Sequence, residues 1–311
     1  MNTYELALVI VTFNRKQNLQ VLLNNIYSGN EYEDCEIIVV DNNSTDGSRE
    51  MLAEYKQNYN NLTLCLLDEN TGGAGGFYYG VKQAYETGHE WIWIMDDDVI
   101  PLPIATKTLL RYGKEADCIQ PAKIYHDGTE APFEGLLNER NMRRRLIYWK
   151  DMKDKEFVPC NCASFEGLFF NRIVIDKIGL PDKDFFIGLD DLFFGLKVSE
   201  KCKFIYIKTP CLQKQFEKEK LIFGKRRMYS SSVFGRYFHL RNYWIVLRYL
   251  KNKNKLSFVA YFTYAYEATK ALTLTLFIEH NFKGVNTLLR AIKHGVGNDM
   301  QSYKKIFFKG A

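Results

Sequence analysis

Short apolar runs alternate with helical patterns through the first hundred residues of the chain. The runs are LALVIVT, EIIVV, LTLCLL and WIWIM, at residues 6–12, 36–40, 62–67 and 91–95. Nearly continuous apolar runs are typical of strands covered on both faces, and intervening helices are typical of parallel crossovers. The alternation therefore predicts an α/β fold, with a mostly parallel central sheet and helices on both of its faces.

Polar clusters follow these runs, at the points where the predicted strands end. In an open α/β sheet the ligand crevice lies beyond the carboxyl ends of the strands. The agreement in position among several clusters favours one shared binding site at that edge of the sheet. The clusters are Thr12–Arg15, Asp41–Ser44, Asn70–Gly76 and Asp96–Asp98.

Asp96, Asp97 and Asp98 follow the fourth apolar run directly. Three neighbouring carboxylates repel one another unless a cation lies among them. Hard oxygen ligands suit Mg²⁺ or Mn²⁺, and these ions commonly bridge protein carboxylates and substrate phosphates. The cluster therefore predicts a divalent metal that neutralises charge on a diphosphate leaving group, with a solvated acidic turn as the alternative.

A glycine-rich segment, NTGGAGG at residues 70–76, follows the third run and is predicted to form a loop that opens a helix near Gly76. Its glycines permit positive φ and close backbone approach, and a helix N-terminus favours phosphate. The segment matches neither the dinucleotide fingerprint nor the P-loop, because Tyr78 occupies the third glycine position and no Gly-Lys-Ser/Thr follows. A plain tight turn is the alternative.

A second carboxylate pair, Asp190-Asp191, follows the apolar residues 185–189. At a predicted helix start, one aspartate can cap the helix while its neighbour faces the cleft and accepts a proton from an attacking hydroxyl. His239 lies in YFHLRN, among basic and aromatic residues, and a lone histidine is more often structural than functional. The residues alone therefore leave capping and catalysis open for the pair.

The C-terminal third is basic, and the rest of the chain is acidic. Residues 201–311 hold 22 Lys/Arg and 5 Asp/Glu, whereas the first 200 residues hold 20 and 32. This balance predicts an anionic partner, either nucleic acid or an anionic membrane face. The stretch Leu256–Ile278 is long enough to cross a bilayer, but Glu267 and Lys270 interrupt it and favour an interfacial or buried helix.

Taken together, these segments resemble family 2 of the inverting glycosyltransferases, whose members have the GT-A fold. The resemblance covers about residues 5–245. Within the family it is closest to bacterial galactofuranosyltransferases and their rhamnosyltransferase relatives. The segments that carry it are VIVTFNR (9–15), IIVVDNNSTDGS (37–48), ENTGGAGGF (69–77), WIWIMDDDV (91–99), FEGLFFNR (165–172), GLPDKDFFIGLDDLFFGLK (179–197) and YFHLRN (237–242).

The resemblance implies a role for each matching position. Asp96 and Asp98 are the implied metal ligands, and Asp191 is the implied general base, with Asp190 beside it in the catalytic pair. The residues implied to bind the nucleotide-sugar donor are Thr12, Asn14, Arg15, Asp41, Asn43, Asn70, Gly73, Gly75, Asp97 and His239.

Two positions depart from the family pattern. Leu189 stands before the aspartate pair where relatives often have tryptophan, and this difference bears on the acceptor pocket. Relatives also carry a metal-ligating histidine about two dozen residues beyond the base, whereas this chain reads CLQKQ at residues 211–215. Gln213, Gln215 or water would then supply that ligand, because Mg²⁺ tolerates retained waters.

The implied activity is that of an inverting, metal-dependent hexosyltransferase of bacterial polysaccharide or capsule synthesis. It would move galactofuranose from UDP-galactofuranose onto a lipid-linked glycan acceptor. Rhamnosyl transfer from dTDP-rhamnose is the nearest alternative. An inactive scaffold that binds nucleotide-sugars or membranes is the alternative from another class.

We expect residues 1–229 to form the GT-A catalytic domain. Residues 230–311 are expected to form a helical, basic and aromatic region that contacts membrane, acceptor or a second copy of the chain. The seven cysteines lack metal-type spacing, and no secretory signal is recognised. These features predict a cytoplasmic protein with reduced thiols. The basic, aromatic C-terminal region and the lipid-linked acceptor implied by the resemblance predict peripheral attachment to the inner face of the bacterial plasma membrane, and nucleic acid is not expected as a partner.

Overall fold

A computed structural model describes residues 4–215 and 232–308, together with the backbone of residues 220–223 and 226–229. Strands alternate with helices through the first hundred residues, as the apolar runs predict. The strands are β1 (Leu6–Thr12), β2 (Cys35–Asp41), β3 (Leu62–Leu66), β4 (Trp91–Asp96), β5 (Val99–Pro101), β6 (Cys118–Ile124), β7 (Glu130–Ala131), β8 (Phe133–Asn138), β9 (Arg143–Ile147), β10 (Phe157–Pro159), β11 (Leu168–Asn171), β12 (Phe204–Lys214), β13 (Lys220–Phe223) and β14 (Arg226–Tyr229).

The helices lie between the strands and then follow one another at the C-terminal end. A 3₁₀ turn at Lys183–Phe185 and a π-helical turn at Leu274–Ile278 supplement them. The α-helices are α1 (Lys16–Ile26), α2 (Ser48–Asn58), α3 (Gly72–Glu86), α4 (Ala105–Gly113), α5 (Trp149–Met152), α6 (Ile173–Ile178), α7 (Asp190–Lys201), α8 (Val233–Asn252), α9 (Val259–Thr273), α10 (Phe282–Gly297) and α11 (Tyr303–Phe307).

The central sheet has ten strands within the described residues, and eight of them follow the order β10-β12-β6-β11-β4-β1-β2-β3. The neighbours from β4 to β3 are parallel, and so are β6 and β12. β11 is antiparallel to both β4 and β6, and it separates the two parallel groups. The α/β sheet predicted from the sequence is therefore confirmed, with an antiparallel strand inserted between its parallel groups.

Two hydrophobic layers cover the sheet, one on each face. Along β1, Leu8 and Ile10 belong to the layer that contains α1 side chains, whereas Ala7 and Val9 belong to the layer that contains α3 side chains. Successive side chains of a strand point to opposite faces, so a strand buried along its whole length must be covered on both. This arrangement is why the apolar runs of the sequence are nearly continuous.

α3 begins four residues earlier than the sequence indicates, so the expected glycine-rich loop is in fact the first turn of a helix. The reason is close packing against β1. A Cβ at Gly76 would lie 2.4 Å from Val11 Cγ1, and a Cβ at Gly80 would lie 2.4 Å from Val9 Cγ1. Glycine at these positions lets the helix lie directly against the strand, and that packing overrides the weak helix propensity of glycine.

In the charged segment 138–155, strand β9 lies where the run of arginines is typical of a loop or a short helix. β8 and β9 pair as a two-stranded sheet, and a helix follows only at α5. The β8 side chains alternate between buried and more exposed positions, which is the period of a strand. The arginines Arg143, Arg144 and Arg145 are all exposed, and they hide the strand pattern in β9.

The chain divides into two compact units, and the division does not follow a single cut in the sequence. The first unit comprises Met1–Leu136, Leu146–Lys183 and Asp191–Glu217. The second unit comprises Leu137–Arg145, Asp184–Asp190 and Lys218–Ala311. Two short internal segments therefore belong with the C-terminal helices.

Residues 232–308 of the second unit are mainly helical, as the sequence predicts. α8 and α10 pack together, and Gly295 on α10 allows this because a Cβ there would lie 2.7 Å from Trp244 and 2.9 Å from the Arg241 carbonyl oxygen. The apolar stretch from Leu256 is divided between α9 and the π-helical turn. No helix among the described residues is long and apolar enough to cross a membrane.

Candidate active site

Thr12 and Arg15 connect the end of β1 to the aspartates that follow β4. Thr12 Oγ1 donates to Asp97 Oδ2 at 2.6 Å. Arg15 Nη1 lies 3.1 Å from Asp97 Oδ1 and 3.0 Å from Asp98 Oδ2. Because β1 and β4 are parallel neighbours, their carboxyl ends lie side by side. Two of the polar clusters that the sequence places at strand ends therefore meet.

Asp97 is buried among these partners. Burial raises the pKa of Asp97 to about 6, although the Thr12 hydroxyl and the Arg15 guanidinium act in the opposite direction. Both of its carboxylate oxygens are engaged, one by Thr12 and one by Arg15. Asp97 therefore fixes the geometry of the cluster, while its two aspartate neighbours are placed to bind a ligand.

Asp96, Asp98 and Glu166 form a group in which one carboxylate oxygen from each residue lies within 4.8 Å of the others. Burial raises the pKa of Asp96 well above its usual range, and the charges of Asp98 and Glu166 raise it further. A divalent cation relieves such crowding because it replaces repulsion with attraction. Three carboxylates are the hard ligands that Mg²⁺ and Mn²⁺ prefer, so the residues present fit such an ion.

Glu166 is absent from the site residues that the sequence predicts, and the sheet register explains its place. β11 runs antiparallel to β4 with Leu168 opposite Ile94. Continuing this antiparallel register by two residues places Glu166 opposite Asp96. The signal in the sequence is a glutamate directly before a buried strand, in FEGLFFN, because a charge in that position needs a partner.

Two lysines lie against Glu166, and the sequence predicts neither of them. Lys123 Nζ is 2.6 Å from Glu166 Oε2, and Lys214 Nζ is 3.1 Å from the same atom. Burial lowers the pKa of Lys123. Burial acts in the same direction on Lys214, but the Glu166 carboxylate outweighs it and raises the pKa of Lys214. Together with Arg15, these lysines surround the four acidic side chains with three cations.

Asp41 ends β2 and is fully buried. Its Oδ2 accepts hydrogen bonds from Ser44 N at 3.0 Å and from Arg49 Nε at 2.6 Å. Its Oδ1 is also buried, and it has no hydrogen-bond partner among the described residues. An unpaired buried oxygen is costly, so this atom is suited to an N–H group supplied by a ligand such as a nucleobase. Arg49, which the sequence does not single out, balances the Asp41 charge.

Asn14 joins the loop after β1 to the loop after β2. Its backbone N–H donates to Ser44 Oγ at 2.9 Å, and its Oδ1 accepts from Thr45 N at 2.7 Å. The Asn14 backbone is left-handed, with φ of 51°, a conformation that asparagine tolerates better than most residues. Asn14 therefore shapes this edge of the site through its own hydrogen bonds.

Asn42 is the buried residue that organises the next edge of the site. Its Nδ2 donates to the Gly72 carbonyl oxygen at 2.9 Å and to Asn70 Oδ1 at 3.2 Å, and its Oδ1 accepts from Thr71 N at 2.9 Å. Asn43, which the sequence predicts as a donor-binding residue, is partly exposed and has a left-handed φ of 67°. The donor-binding residues predicted from the sequence include Asn43 but not Asn42, although Asn42 makes these hydrogen bonds.

Gly73 and Gly75 have different surroundings in the first turn of α3. A Cβ at Gly73 would meet no atom within 4 Å, whereas a Cβ at Gly75 would lie 2.2 Å from Thr71 Oγ1. Gly75 is therefore required by the local packing. Gly73 leaves room for a ligand at a helix N-terminus, where backbone N–H groups favour phosphate.

The two glutamines that the sequence offers as metal ligands are engaged in other contacts. Gln215 Nε2 donates to the carbonyl oxygens of Asp97 at 3.1 Å and Asn18 at 3.3 Å. Gln213 Nε2 lies 2.6 Å from His126 Nδ1. The Glu166 carboxylate, which lies close to Asp96 and Asp98, therefore offers a better-placed oxygen for a metal ion than the amide of either glutamine.

Asp190 and Asp191 are the first residues of α7, as predicted from the sequence. Asp191 Oδ1 accepts a hydrogen bond from Leu192 N at 2.6 Å, and Asp190 is largely buried. The division between the two compact units falls between the two aspartates. Gly188 and Leu189, which precede the pair, both have left-handed backbones, with φ of 79° and 65°. The carboxylate pair therefore follows a sharply defined turn.

His239 lies on α8, where its ring makes an edge contact with Tyr243 at a centroid distance of 5.9 Å. Burial lowers the pKa of His239 to about 4, and the nearby charges of Arg144 and Lys270 add to this effect. The imidazole is therefore neutral at neutral pH. It can donate a hydrogen bond to a phosphate oxygen, but it brings no positive charge.

Comparison with known proteins gives a family match. Residues 7–179 match the model of glycosyl transferase family 2. Galactofuranosyltransferase GlfT1 from Mycolicibacterium smegmatis is 27% identical over 197 residues, which cover 61% of this chain and 64% of that protein. Abequosyltransferase RfbV from Salmonella typhimurium is 43% identical over 184 residues, which cover 55% of this chain and 53% of that protein. The chain thus spans less than two thirds of the length of these curated relatives.

Solved structures share the fold. S. aureus TarS in complex with UDP-GlcNAc superposes with a TM-score of 0.60 at 13% identity, covering 97% of this chain and 90% of that one. GalNAc-T7 with UDP, GalNAc and Mn²⁺ gives a TM-score of 0.61 at 14% identity, covering 98% and 58%. At this level of identity the similarity concerns the fold alone, and it confirms the GT-A fold expected from the sequence.

Proposed function

The chain belongs to glycosyl transferase family 2, and we propose that it transfers a sugar from a nucleoside diphosphate donor to a glycan hydroxyl with inversion of configuration. The observation that carries this proposal is the carboxylate group of Asp96, Asp98 and Glu166 at the strand ends. A divalent cation held by carboxylates commonly binds the phosphates of a substrate as well, so this group suits a nucleoside diphosphate. The unpaired Oδ1 of Asp41 supports the same assignment.

In this proposal Asp96, Asp98 and Glu166 hold Mg²⁺ or Mn²⁺. The ion would neutralise the charge that develops on the departing diphosphate. Arg15 restrains Asp98, and Lys123 and Lys214 restrain Glu166, so the carboxylates are held in place before the ligand binds. Preorganised charge of this kind lowers the reorganisation needed during the reaction.

The nucleoside end of the donor is assigned to the residues around Asp41. Its unpaired Oδ1 would accept the N–H of a pyrimidine ring, while Arg49 and Ser44 occupy its other oxygen. Uracil and thymine both present that N–H group, so this contact does not distinguish UDP from dTDP. Asn14 and Asn70 border the same edge of the site through their hydrogen bonds to neighbouring loops.

Asp191 is assigned as the general base. It would take the proton of the acceptor hydroxyl as that oxygen attacks the anomeric carbon from the face opposite the diphosphate. A single displacement inverts the configuration and needs no covalent enzyme intermediate, in contrast to the retaining arrangement of glycosidase carboxylates. Neutral His239 is assigned a hydrogen bond to the donor diphosphate.

Galactofuranose is the sugar that we propose, with UDP-galactofuranose as the donor. The galactofuranosyltransferase relative supports it, and so does the segment NTGGAGGF at residues 70–77, which resembles galactofuranosyltransferases. The abequosyltransferase relative supports a second candidate. Abequose is a deoxygenated hexose, so that similarity favours a deoxyhexose donor such as dTDP-rhamnose.

A donor screen without acceptor tests this assignment. The protein with Mn²⁺ would be incubated with UDP-galactofuranose, UDP-galactose, UDP-glucose and dTDP-rhamnose, and slow release of the nucleoside diphosphate would be followed. We expect the fastest release from UDP-galactofuranose, with the Asp98→Asn variant as the inactive control. Fastest release from dTDP-rhamnose would replace galactofuranose with the second candidate. Donor binding without release from any donor would favour the inactive scaffold.

The acceptor is proposed to be a lipid-linked glycan, presented at the cytoplasmic face of the membrane. The second unit supports this with exposed aromatic side chains between Phe258, the residue before α9, and Phe282, the first residue of α10. Phe258, Phe262 and Tyr266 recur every four residues, which places them on one face of the helix. Phe277 and Phe282 are also largely exposed. Aromatic side chains favour the boundary between lipid and water.

The charge of the same region supports membrane attachment. Residues 232–308 contain 12 Lys/Arg and 3 Asp/Glu. Basic side chains beside exposed aromatics are typical of segments that lie in the interface of an anionic membrane without crossing it. We therefore propose peripheral attachment through α9 and α10, with a homo-oligomer as the competing use of this surface.

A further inference from the structure

Asn242 on α8 is fully buried and directs its amide to the turn before the aspartate pair. Asn242 Nδ2 lies 3.0, 3.0 and 2.7 Å from the carbonyl oxygens of Phe185, Ile187 and Gly188, so its two N–H groups are shared among three acceptors. The three acceptors lie in the stretch from Phe185, the last residue of the 3₁₀ turn, to Gly188, just before α7 begins. The Phe185 carbonyl oxygen also accepts from the Ile187 N–H at 2.8 Å, so the Asn242 amide reinforces a backbone hydrogen bond there and supplies a side-chain donor to the carbonyl oxygens of Ile187 and Gly188.

Arg241, the neighbouring residue, is also fully buried and acts on the same turn. Its Nη2 donates to the carbonyl oxygens of Asp184 at 2.9 Å and Phe185 at 2.8 Å. Its Nε donates to Asn242 Oδ1 at 2.9 Å, so the two side chains form one hydrogen-bonded unit. The Arg241 guanidinium also stacks over the Phe238 ring, at 4.7 Å from its centroid.

The turn that they hold has an unfavourable backbone. Phe186 and Leu189 have φ of 63° and 65°, in the left-handed region that side chains with a Cβ seldom adopt. The Phe186 ring is held by aromatic neighbours, and it stacks on Phe238 at a centroid distance of 4.9 Å. A conformation of this kind persists only where surrounding contacts determine it, and such conformations are often found at functional sites.

We propose that Arg241 and Asn242 are positioning residues for the general base. They fix the turn of residues 184–189, so that α7 begins at Asp190 and the Asp191 carboxylate is presented in one orientation. This inference rests on the proposed function, which assigns the base to Asp191. The turn runs directly into the aspartate pair, so an error in its backbone is transmitted through the chain to the carboxylate.

The first test removes the hydrogen bonds and measures binding and catalysis separately. We expect Asn242→Ala to lower kcat by about 10²-fold, the loss that a displacement of about 1 Å causes at a reacting group. UDP affinity, measured by calorimetry, should stay unchanged. Arg248→Ala is the matched control, because Arg248 lies on the same helix but donates to the Gly295 carbonyl oxygen instead of to the turn. It should keep the wild-type kcat at a temperature where every variant is folded.

A double-variant cycle separates positioning from general destabilisation. If Asn242 acts through Asp191, then Asn242→Ala should cause little further loss in the Asp191→Asn background, because the base is already absent. If the losses in kcat multiply, Asn242 acts independently of the base and the inference is wrong. If Asp191→Asn alone keeps full activity, the assignment of Asp191 as the base is wrong. This result differs from multiplying losses, which would contradict only the positioning role of Asn242.

Gly188→Ala provides a second variant that leaves every side-chain hydrogen bond in place. Gly188 has φ of 79°, and a Cβ there would meet no atom within 4 Å, so the substitution changes only the backbone preference. We expect a loss of about tenfold in kcat, with unchanged UDP affinity. Wild-type kcat in both Asn242→Ala and Gly188→Ala, together with an inactive Asp191→Asn variant, would overturn the inference.

Discussion

The first and second units of this chain use positive charge in different ways. In the first unit, three cations each lie within 3.1 Å of a carboxylate in the group of Asp96, Asp98 and Glu166. Arg15 contacts Asp98, and Lys123 and Lys214 contact Glu166. In the second unit, the described residues 232–308 contain 12 Lys/Arg and 3 Asp/Glu, and large aromatic side chains are exposed among them. Cations in the first unit therefore surround a small site, whereas those in the second unit lie mostly on its surface, apart from the buried Arg236 and Arg241.

The comparison shows why the net charge of +5 for the whole chain says little by itself. The summed charge of a surface influences non-specific binding and association with charged partners, whereas the position of individual charges determines the chemistry of a site. If the two regions work separately, a substitution in one should leave the property of the other unchanged. Each substitution should therefore change the property of its own unit and leave the property of the other unit unchanged.

Removal of the metal should have the largest effect. EDTA should abolish turnover, and Mn²⁺ or Mg²⁺ should restore it. Asp98→Asn and Glu166→Gln should each weaken Mn²⁺ binding in a calorimetric titration and lower kcat by roughly 10²–10³-fold, the effect of losing one electrostatic stabiliser. Binding to liposomes should stay at the wild-type level in both variants.

Gln213→Ala is the matched control for Glu166→Gln, because Gln213 is the ligand that the sequence offers and its amide contacts His126. Mn²⁺ affinity should be retained in Gln213→Ala. If Gln213→Ala weakens Mn²⁺ binding while Glu166→Gln does not, the glutamine supplies the ligand and our third carboxylate is misassigned. Full turnover in EDTA would remove the metal from the proposal.

Asp191→Asn should have the next largest effect. The amide keeps the shape of the carboxylate but cannot accept the acceptor proton, and loss of general-base assistance typically costs about 10²–10⁴-fold in rate. UDP binding should survive, since the nucleoside residues are untouched. Asp190→Asn is the control, and it should retain more activity in a transfer assay. If Asp190→Asn abolishes transfer and Asp191→Asn does not, the two roles are exchanged.

The sequence predicts those site residues that lie at the ends of parallel strands. Thr12, Asp41 and Asp96–Asp98 follow apolar runs, and the geometry of parallel sheets then places them at one edge. Glu166 enters through the antiparallel strand β11, whose register with β4 is not visible in the sequence. Lys123 and Lys214 likewise lie on β6 and β12, which are separated in sequence from Glu166. Only the order of strands in the sheet brings the two lysines to Glu166.

The fold follows a similar division between local and tertiary causes. The strands and helices of the first hundred residues have strong periodicity, so their kind is predictable from the sequence. The start of α3 is not, because its glycines disfavour a helix and only packing against Val9 and Val11 stabilises one. The turn before Asp190 is not predictable either, since side chains on α8, over fifty residues away, determine it.

The pH dependence of metal binding should be a smaller effect. Burial raises the pKa of Asp96 well above its usual range and the pKa of Asp97 to about 6. Carboxyls with raised pKa values hold protons at low pH, and an incoming cation must displace them. Mn²⁺ affinity should therefore rise with pH through about 6, by up to about tenfold per pH unit for each proton released.

Arg15→Met sharpens this prediction. The Arg15 guanidinium is one of the groups that lower the pKa of Asp97 against the effect of burial. Its removal should move the midpoint of the Mn²⁺ affinity curve to higher pH, as measured by titrations between pH 5 and pH 8. An affinity that is constant over this range, in the wild type and in Arg15→Met, would contradict the account of the cluster.

Membrane attachment should show the smallest effect for a single substitution, and it tests the other half of the comparison. Each basic side chain near an anionic surface contributes about 1 kcal/mol, which is about fivefold in the partition coefficient. Lys283→Gln and Lys293→Gln on α10 should each weaken sedimentation with anionic liposomes by about this factor, and binding should fade as salt rises. Lys107→Gln on α4 makes the same charge change in the first unit and should have no effect.

Phe262→Ala separates the aromatic contribution from the charge. Phe262 is 63% exposed on α9, so its removal should weaken binding while leaving the salt dependence unchanged. Release of nucleoside diphosphate from the donor should be unaffected by any of these substitutions, because they lie outside the proposed donor residues. Equal binding to neutral liposomes at high salt would indicate hydrophobic insertion instead of electrostatic attachment. No liposome binding, combined with a molecular mass that rises with protein concentration and falls in Phe262→Ala, would assign the surface to a second copy of the chain.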